Sequence, residues 1–521
     1  MTDLKDKPGA RTPSSTSRRD FLKSIGAAAV AAGVPARPAS LAASQASGPA
    51  PLQAQKKLIG IQIGAVSFTD EGVDKVLDTL QKRAGVNALM LASFTYGRGI
   101  AGRQVPGQPL PDHGVQEYDT KTFHGGNYAV VHPEYYRDSV FKNLRAPDVG
   151  NFDILGDVIP KAKPRGIKSY CWFEDVYNPR YIPGFEQEAA EVDIYGRRTS
   201  RACLNNPHVL NFLASLAEDW IKSYDVDGIM WCSERQGPLD NAIGADASRF
   251  TGRASITCFC PYCRKKGRER GIDVDRAREG LQKLHQWVES VVKGSRPSDG
   301  NFVTFWRLLV DYPEILAWEK LWTDSQREVY ALLYGEVKSI HPTLPVGWHI
   351  WHNNSFSPFY RAEQDYKKLE GFTDFLKVVM YNNCAGPRMT QYIHNVHSTV
   401  FGDLSPQQVL EFHYGVLGYK GEADLAALPQ AGFTSKYVAE ETRRALADVG
   451  GKIDIYPGID IDIPTGSGLK KTTPEDVRNA VHAAFTQGAQ GIILSRKYSE
   501  MRLENLAGAG QALKDLGMWK A

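Results

Sequence analysis

The chain has 521 residues, of which 42% are hydrophobic, 23% are charged and 10% are aromatic. This composition is typical of a globular protein and excludes fibrous, collagen-like and wholly disordered chains. The formal net charge is +3, from 62 basic and 59 acidic residues, and the first 43 residues carry seven Lys or Arg against three Asp. The rest of the chain is close to neutral, which gives no case for binding nucleic acid or an acidic membrane surface.

The first predicted element is an export signal. Ser-Arg-Arg-Asp-Phe-Leu-Lys at 17–23 is followed by a mild apolar run at 24–34 and by small residues at 39–43. This order of features resembles a twin-arginine (Tat) signal; the alternative is a disordered basic tail before an alanine-rich helix. The resemblance implies a signal over 1–43, a linker over 44–57, and delivery by the bacterial Tat export machinery to the periplasm or the medium. No membrane is expected as partner of the mature form, because no other stretch approaches the ~20 apolar residues of a spanning helix.

Residues 58–521 are predicted to form one (β/α)8 barrel, or TIM barrel. Short runs rich in Val, Ile and aromatic residues alternate with longer segments of helical period, as in a parallel sheet with helices outside. The predicted strands are 58–68, 86–94, 167–173, 226–232, 344–351, 375–381, 453–461 and 491–495. The predicted helices are 70–83, 208–224, 302–340, 438–447, 474–487 and 503–516. A doubly wound sheet is the alternative, but residues 60–65 lack the glycine fingerprint of a phosphate-binding turn.

Three connections are much longer than ordinary loops. They are the inserted loops after strands two, three and four, at 95–153, 174–207 and 235–301. In such a barrel the loops that follow the strands build the site at the C-terminal end. Residues just after each strand are therefore the candidates for chemistry.

Glu234 follows the fourth predicted strand, close to Trp231 and next to Arg235. A carboxylate at the mouth of an apolar strand is where a general acid with a tuned pKa would lie. The alternative is a structural salt bridge between Glu234 and Arg235. We predict Glu234 as the proton donor and Arg235 as a substrate contact.

All seven cysteines lie beyond the signal, and an odd number cannot be fully paired in intramolecular disulfides. Cys258, Cys260 and Cys263 fall within six residues beside Pro261. Such clustering is unlikely by chance at this cysteine content and indicates a metal site, although a set of buried thiols is the alternative.

The pieces at 201–207, 227–229 and 258–264, together with Glu234, resemble the barrels of glycoside hydrolases. The cysteine spacing is similar to that of family 42 β-galactosidases. A closer likeness is to bacterial hypothetical glycoside hydrolases, which share Ser-Glu-Arg-Gln-Gly-Pro at 233–238 and a C-terminal piece like that at 494–503. The resemblance implies a barrel that cleaves a glycosidic bond of a carbohydrate.

The family 42 likeness also implies a zinc ion held by Cys203 with Cys258, Cys260 and Cys263. Cys232 is the competing fourth ligand. Four thiolates make a closed tetrahedral shell, which is the structural kind of zinc site and does no chemistry. No organic cofactor is expected.

The second carboxylate of such a hydrolase is expected after the seventh strand. Related retaining enzymes place Asn before the acid and Glu after strand seven, whereas this chain has Ser233 before Glu234 and offers Asp460 and Asp462. Strand alternation sends only one of the two aspartates towards the site, and we favour Asp460 as nucleophile or base. Glu500, after strand eight, is a further candidate. Retention and inversion are both open, since each needs two carboxylates across the scissile bond.

Aromatic and polar residues at the strand ends are suitable material for a sugar-binding wall. The predicted substrate-binding residues are Tyr96, Trp172, Glu174, Arg235, His349, Trp351, Tyr381, Asn382 and Arg496. Two alternatives stay open from the sequence. His349 and His352 with Glu174 or Asp175 would suit a metal-dependent sugar isomerase or lyase, and the chain would otherwise be a carbohydrate-binding protein without catalysis. The oligomeric state is not predicted.

Overall fold

The computed structural model describes residues 57–174 and 182–519. The predicted signal, nearly all of the linker and Asp175 lie outside the described residues. The chain forms a closed barrel of eight parallel strands surrounded by helices, so the predicted (β/α)8 class is confirmed. The strands, named β1 to β8, are Leu58–Ile63, Ala88–Thr95, Lys168–Glu174, Gly228–Cys232, Val346–Ile350, Phe375–Val379, Asp454–Asp460 and Gly491–Ser495. The barrel closes because β1 pairs in parallel with both β2 and β8.

Alternate residues of the strands face the barrel interior. Apolar side chains fill its lower and middle part: Ala88, Met90, Tyr170, Trp172, Met230, Phe375, Tyr456 and Ile493. Towards the C-terminal ends the buried polar positions are Gln62, Glu174, His349, Lys377, Asp460 and Ser495. The interior is thus a packed core that supports a polar floor at the end where barrel enzymes bind substrate.

Helices cover the outside of the barrel with their apolar faces. Those of eight or more residues are Val73–Ala84, Pro207–Ser223, Pro261–Glu269, Val274–Val292, Asn301–Asp311, Glu314–Ile340, Asn382–His397, Pro406–Leu417, Ser435–Val449, Pro474–Thr486 and Leu503–Asp515. Shorter helices are Ala65–Glu71, Arg98–Ala101, Ile159–Ala162, Phe185–Glu188, Pro238–Ile243, Pro358–Glu363 and Leu428–Ala431. Several begin with a polar cap before Pro, as where Asn206 accepts from the backbone N–H of His208. No helix within the described ranges is both long and apolar enough to cross a membrane.

Two predicted elements have different bounds in the structure. The first strand ends at Ile63, and residues 65–71 form a helix, because a continuous buried apolar run does not distinguish strand from helix. The predicted helix at 302–340 is two helices, with the break at Tyr312 and Pro313. Proline disfavours helical conformation in the residue before it, so the chain turns at this point.

The insertions after β3 and β4 form one wall above the barrel. After β3, Ala190–Val192 pairs with Arg198–Ala202 in an antiparallel hairpin. The chain after β4 returns to this hairpin, where the backbone N–H of Phe259 donates to the carbonyl of Val192 at 2.7 Å. This wall carries both the cysteine cluster and part of the site.

Candidate active site

Lys377 is the centre of a buried polar network at the C-terminal end of the barrel. Its Nζ donates to Gln62 Oε1 at 3.0 Å and to the hydroxyl of Tyr381, and lies 3.3 Å from His349 Nδ1. Gln62 Oε1 also accepts from Ser495 Oγ at 2.7 Å. An ammonium has three N–H groups, and the three neighbouring acceptors satisfy all of them.

Glu234 lies next to this network and contacts His349. The distance from Glu234 Oε1 to His349 Nε2 is 3.1 Å. Because Lys377 donates to Nδ1, the neutral imidazole carries its proton on Nε2, directed at Glu234. Burial and the charge of Lys377 lower the pKa of His349 to about 4. His349 is therefore neutral at physiological pH, and its Nε2 lies in close contact with the carboxylate of Glu234.

Glu174 and Glu234 stand at the ends of neighbouring strands, and their pKa values move in opposite directions. Burial and the charge of Glu234 raise the pKa of Glu174 well above its ordinary value. Burial also raises the pKa of Glu234, but His349 and Arg388 outweigh it and leave that pKa lowered. These surroundings favour the protonated form of Glu174 and the ionised form of Glu234.

A cavity of about 300 Å³ opens beside Glu234. Its lining residues are Arg201, Glu234, Arg235, Gln236, Asn241, Asp246, Ala247, Ser248, Trp351, His352, Asn353, Phe356 and Arg388. This volume is at the lower end of the range of small-molecule sites. Aromatic faces beside amide, hydroxyl and guanidinium groups can hold a sugar ring and its hydroxyls.

Arg235 forms a buried ion pair with Glu191, of the hairpin after β3. Both side chains are only 1% exposed. Thr257 Oγ1 donates to the second carboxylate oxygen of Glu191 at 2.7 Å. Arg235, which follows Glu234 in the sequence, is thereby held in the wall of the cavity.

Three predicted wall residues come together around the cavity and the lysine network. Trp351 lines the cavity, Tyr381 accepts from Lys377, and His349 contacts Glu234. His352 joins them, with its ring centre 5.4 Å from that of Tyr381.

Other predicted binding residues have different surroundings. Trp172 is enclosed in the barrel interior, and Tyr96 packs in the apolar layer outside the strands. Asn382 is buried and donates to a backbone carbonyl at 3.4 Å. Arg496 pairs with Glu500, so the carboxylate of Glu500 is engaged in a salt bridge. None of these four is among the cavity-lining residues.

Asp460 and Asp462 bind neighbouring backbone and side chains. Asp460 is fully buried and accepts from three backbone N–H groups at 2.8 to 3.3 Å. Asp462 accepts from the backbone N–H of Arg502 at 2.8 Å and from Asn505 Nδ2 at 2.9 Å. Burial raises the pKa of Asp462 to about 6. Their predicted role as second carboxylate stays a prediction, and neither they nor Glu174 line the cavity beside Glu234.

The four cysteines Cys203, Cys258, Cys260 and Cys263 meet in one buried cluster. Their sulfur atoms all lie within 4.8 Å of one another, and Cys203 Sγ is 3.4 Å from Cys260 Sγ. Asn205 Nδ2 donates to Cys263 Sγ at 3.3 Å. Such donors are typical of the surroundings of metal-bound thiolates, so the residues present fit a metal ion.

Cys232, Glu234 and His349 also offer ligand atoms within 4.8 Å of one another. Lys377 Nζ lies 3.3 Å from the other nitrogen of His349, and burial lowers the pKa of Lys377 to about 7, so the charge beside these three residues depends on pH. His352, the second histidine predicted for such a site, is engaged by Arg388 Nη1 at 2.9 Å.

Gln62, Lys377 and Arg388 are site residues that the sequence analysis did not select. Gln62 in Ile-Gly-Ile-Gln-Ile and Lys377 in Phe-Leu-Lys-Val-Val are each a single polar residue in an apolar strand. That contrast is a usable signal, since a buried strand tolerates a polar group only when partners surround it. Arg388 lies within Asn382–His397 and carries no comparable sequence signal.

Comparisons with known proteins place the barrel among solved structures of glycoside hydrolases. No family model matches the chain, and no curated protein matches it. A β-galactosidase from the haloarchaeon Halorubrum lacusprofundi superposes with a TM-score of 0.50 at 13% identity, over 89% of this chain and 58% of that one. A β-galactosidase from Bacillus circulans sp. alkalophilus gives 0.47 at 14% identity, over 90% and 58%.

An α-L-fucosidase isoenzyme from Paenibacillus thiaminolyticus gives a TM-score of 0.45 at 14% identity, over 89% of this chain and 49% of that one. The chain thus spans about half to three fifths of the length of these proteins. At 13% identity the likeness to the Halorubrum lacusprofundi structure shows the fold alone, a (β/α)8 barrel.

Proposed function

We propose that the chain is a glycoside hydrolase that uses Glu234 and Glu174 as its two carboxylates. The observation that carries the proposal is the position of two carboxyl groups at the ends of neighbouring parallel strands, where their surroundings move the two pKa values in opposite directions. Glycosidases need one protonated and one ionised carboxyl group, and environments that separate two pKa values mark acid and base. The cavity beside Glu234 provides room and hydrogen-bonding groups for a sugar.

In this proposal Glu174 donates the proton to the leaving group and Glu234 is the nucleophile or the base that activates water. His349 holds Glu234 in its ionised form through Nε2, and Lys377 fixes the tautomer that makes this contact. The sequence-based alternative makes Glu234 the proton donor and Asp460 or Asp462 the second carboxylate.

A substrate screen tests the proposal. The wild type and Glu234→Gln are assayed in parallel on nitrophenyl glycosides of both anomers and on plant and bacterial oligosaccharides. Hydrolysis by the wild type that the variant loses supports the proposal. Binding of oligosaccharides without turnover would instead indicate a carbohydrate-binding protein.

Metal analysis of the same preparation separates the hydrolase from the metal-dependent isomerase or lyase. A hydrolase keeps its activity after mild chelation, whereas an isomerase or lyase loses activity when a weakly held metal is removed. Loss of all activity with the chelator would contradict the carboxylate mechanism.

We further propose that the cysteine cluster holds one zinc ion with a structural role. Four thiolates favour zinc in a closed tetrahedral shell, and such a shell leaves no position for substrate. The chemistry that zinc supplies there is the cross-linking of Cys203, beside the hairpin after β3, to the loop of Cys258, Cys260 and Cys263.

Cys260→Ser is expected to lower the zinc content and the melting temperature together. Metal binding contributes directly to folding free energy, so loss of one thiolate weakens both. Cys171→Ser is the matched control, because Cys171 is buried in a barrel strand away from the cluster. Elemental analysis and differential scanning calorimetry measure the two quantities, and a zinc-free wild type with unchanged stability would rule out the site.

We also propose export by the Tat machinery, because of the ordered motif at 17–23. Arg18→Lys combined with Arg19→Lys is expected to leave the precursor in the cytoplasm. Lys5→Arg combined with Lys7→Arg is the matched control, since it changes basic residues of the same segment outside the motif. Fractionation and immunoblotting measure the distribution, and unchanged export of the first double variant would contradict the proposal.

A further inference from the structure

Arg388 is a guanidinium on the cavity wall without a nearby carboxylate. Its Nη1 donates to His352 Nδ1 at 2.9 Å, and this is the single hydrogen bond of its side chain to the described residues. Within those residues it has no ion pair closer than 4.0 Å. Glu234 and Asp460 attract it from longer distances only.

Other enclosed arginines of the chain are paired. Arg235, Arg361 and Arg496 each form an ion pair with a buried glutamate. A guanidinium removed from bulk water loses solvation that a carboxylate normally replaces. Arg388 is half-buried on the cavity wall and differs from these three arginines, because no carboxylate of the described residues lies within 4.0 Å of its guanidinium.

His352, the partner of Arg388 in this contact, supplies no negative charge. Burial and the charge of Arg388 lower the pKa of His352 well below its ordinary value. His352 Nε2 lies 3.2 Å from the hydroxyl of Tyr437, so both ring nitrogens are engaged and the ring is held in place. The contact orients the guanidinium without neutralising it, and leaves further N–H groups directed to the cavity.

The cavity wall carries charged groups of both signs. Arg201, Arg235 and Arg388 line it together, against the carboxylates of Glu234 and Asp246. One of these carboxylates is assigned to the chemistry, and burial raises the pKa of Asp246. Guanidinium groups recognise carboxylate and sulfate oxygens by paired hydrogen bonds.

We infer that the sugar bound beside Glu234 is anionic and that Arg388 binds its negative group. The inference rests on the proposed glycosidase function and names its substrate class. A uronic acid carboxylate and a sulfate ester present the same chemistry, planar or tetrahedral oxygens with one negative charge. The proposal predicts selectivity for either over the neutral sugar of the same configuration.

The test compares kcat/KM for nitrophenyl glucuronides and galacturonides, the corresponding 6-sulfated glycosides, and the neutral glucosides and galactosides. We expect the wild type to prefer an anionic substrate, and Arg388→Met to lose about 10- to 100-fold more kcat/KM on it than on the neutral substrate of the same configuration, so that the ratio of the two values falls. A preference for uronides identifies a carboxylate as the ligand, and a preference for sulfated sugars identifies a sulfate ester. A wild type that prefers neutral glycosides overturns the inference and leaves the glycosidase function standing.

Two further variants make the result specific. Arg388→Lys keeps the charge without the paired donors and is expected to retain part of the selectivity. Arg361→Met removes a similarly enclosed arginine that is paired with Glu441 elsewhere, and is expected to lower stability with selectivity unchanged. Equal selectivity in Arg388→Met and the wild type overturns the inference.

Calorimetric titration with glucuronate, galacturonate, glucose and galactose supplies a readout that needs no turnover. Binding of a uronate by the wild type, lost in Arg388→Met, supports the inference even where no glycoside is hydrolysed. Binding of a uronate without hydrolysis of any glycoside would overturn the proposed glycosidase function and leave the inference about Arg388 standing. Stronger binding of the neutral sugars would overturn the inference.

Discussion

Glu234→Gln is expected to reduce kcat/KM by at least about 10²-fold on substrates with good and with poor leaving groups. A nucleophile or water-activating base is needed whatever the leaving group, and an amide cannot serve in either role. Glu174→Gln is expected to lose about 10²- to 10⁴-fold on sugars with poor leaving groups and much less on activated aryl glycosides. Activated leaving groups depart with little help from a proton.

The pH dependence provides an independent check on the same assignment. Because Glu174 must be protonated and its pKa is raised, activity falls as the pH rises through that pKa. Because Glu234 must be ionised and its pKa is lowered, activity falls only at acidic pH. Glu174→Gln should remove the alkaline limb of the kcat/KM profile and leave the acidic limb in place.

The sequence-based assignment gives the opposite result. If Glu234 is the proton donor, Glu234→Gln spares activated aryl glycosides and Asp460→Asn abolishes turnover on both kinds. Asp462→Asn is the matched comparison for Asp460→Asn, since both aspartates accept hydrogen bonds and only one is favoured for chemistry. Such a pattern would support Glu234 as the proton donor and Asp460 as the second carboxylate.

Glu191→Ala is expected to lower the free energy of unfolding by about 3 to 5 kcal/mol. The substitution removes the carboxylate that pairs with the guanidinium of Arg235, and both side chains are 1% exposed in the structure. It also removes the acceptor of Thr257 Oγ1. Chemical denaturation with the metal content held constant measures the change.

Glu440→Ala is the control for this loss. Glu440 pairs with Arg443 on the surface, where the side chains are 27% and 58% exposed. An exposed pair of this kind contributes about 0 to 1 kcal/mol, because water and salt screen it. Equal losses for the two variants would mean that the Arg235 pair contributes no more than a surface contact.

Much of the barrel was predictable because each strand is a short apolar run between helices of clear period. All eight predicted strands overlap the observed ones. The end of the first strand was not predictable, because a buried helix at 65–71 follows this buried strand after a single glycine. Because the strand and the helix are both buried on all sides, their sequences show no alternation of apolar and polar residues that would distinguish one from the other.

The site was predictable in part. Glu234, His349 and Tyr381 follow from their places at strand ends, and the structure brings them into one polar region. Lys377 is not selected by the rule that barrel sites lie after the strands, because its side chain projects from within β6. The relation of Glu174 to Glu234 depends on the parallel register of β3 and β4, which a single sequence does not specify.

The cysteine cluster and the cavity wall are connected through residues that are adjacent in the sequence. Cys258 follows Thr257, which donates to Glu191, and Glu191 precedes Val192, whose backbone N–H contacts Cys258 Sγ at 3.5 Å. If the proposed zinc and the proposed glycosidase function both hold, loss of the metal would loosen the cavity wall through these contacts and weaken substrate binding as well as the stability of the fold. In metal-poor growth the expected defects are a rise in KM and a lower melting temperature.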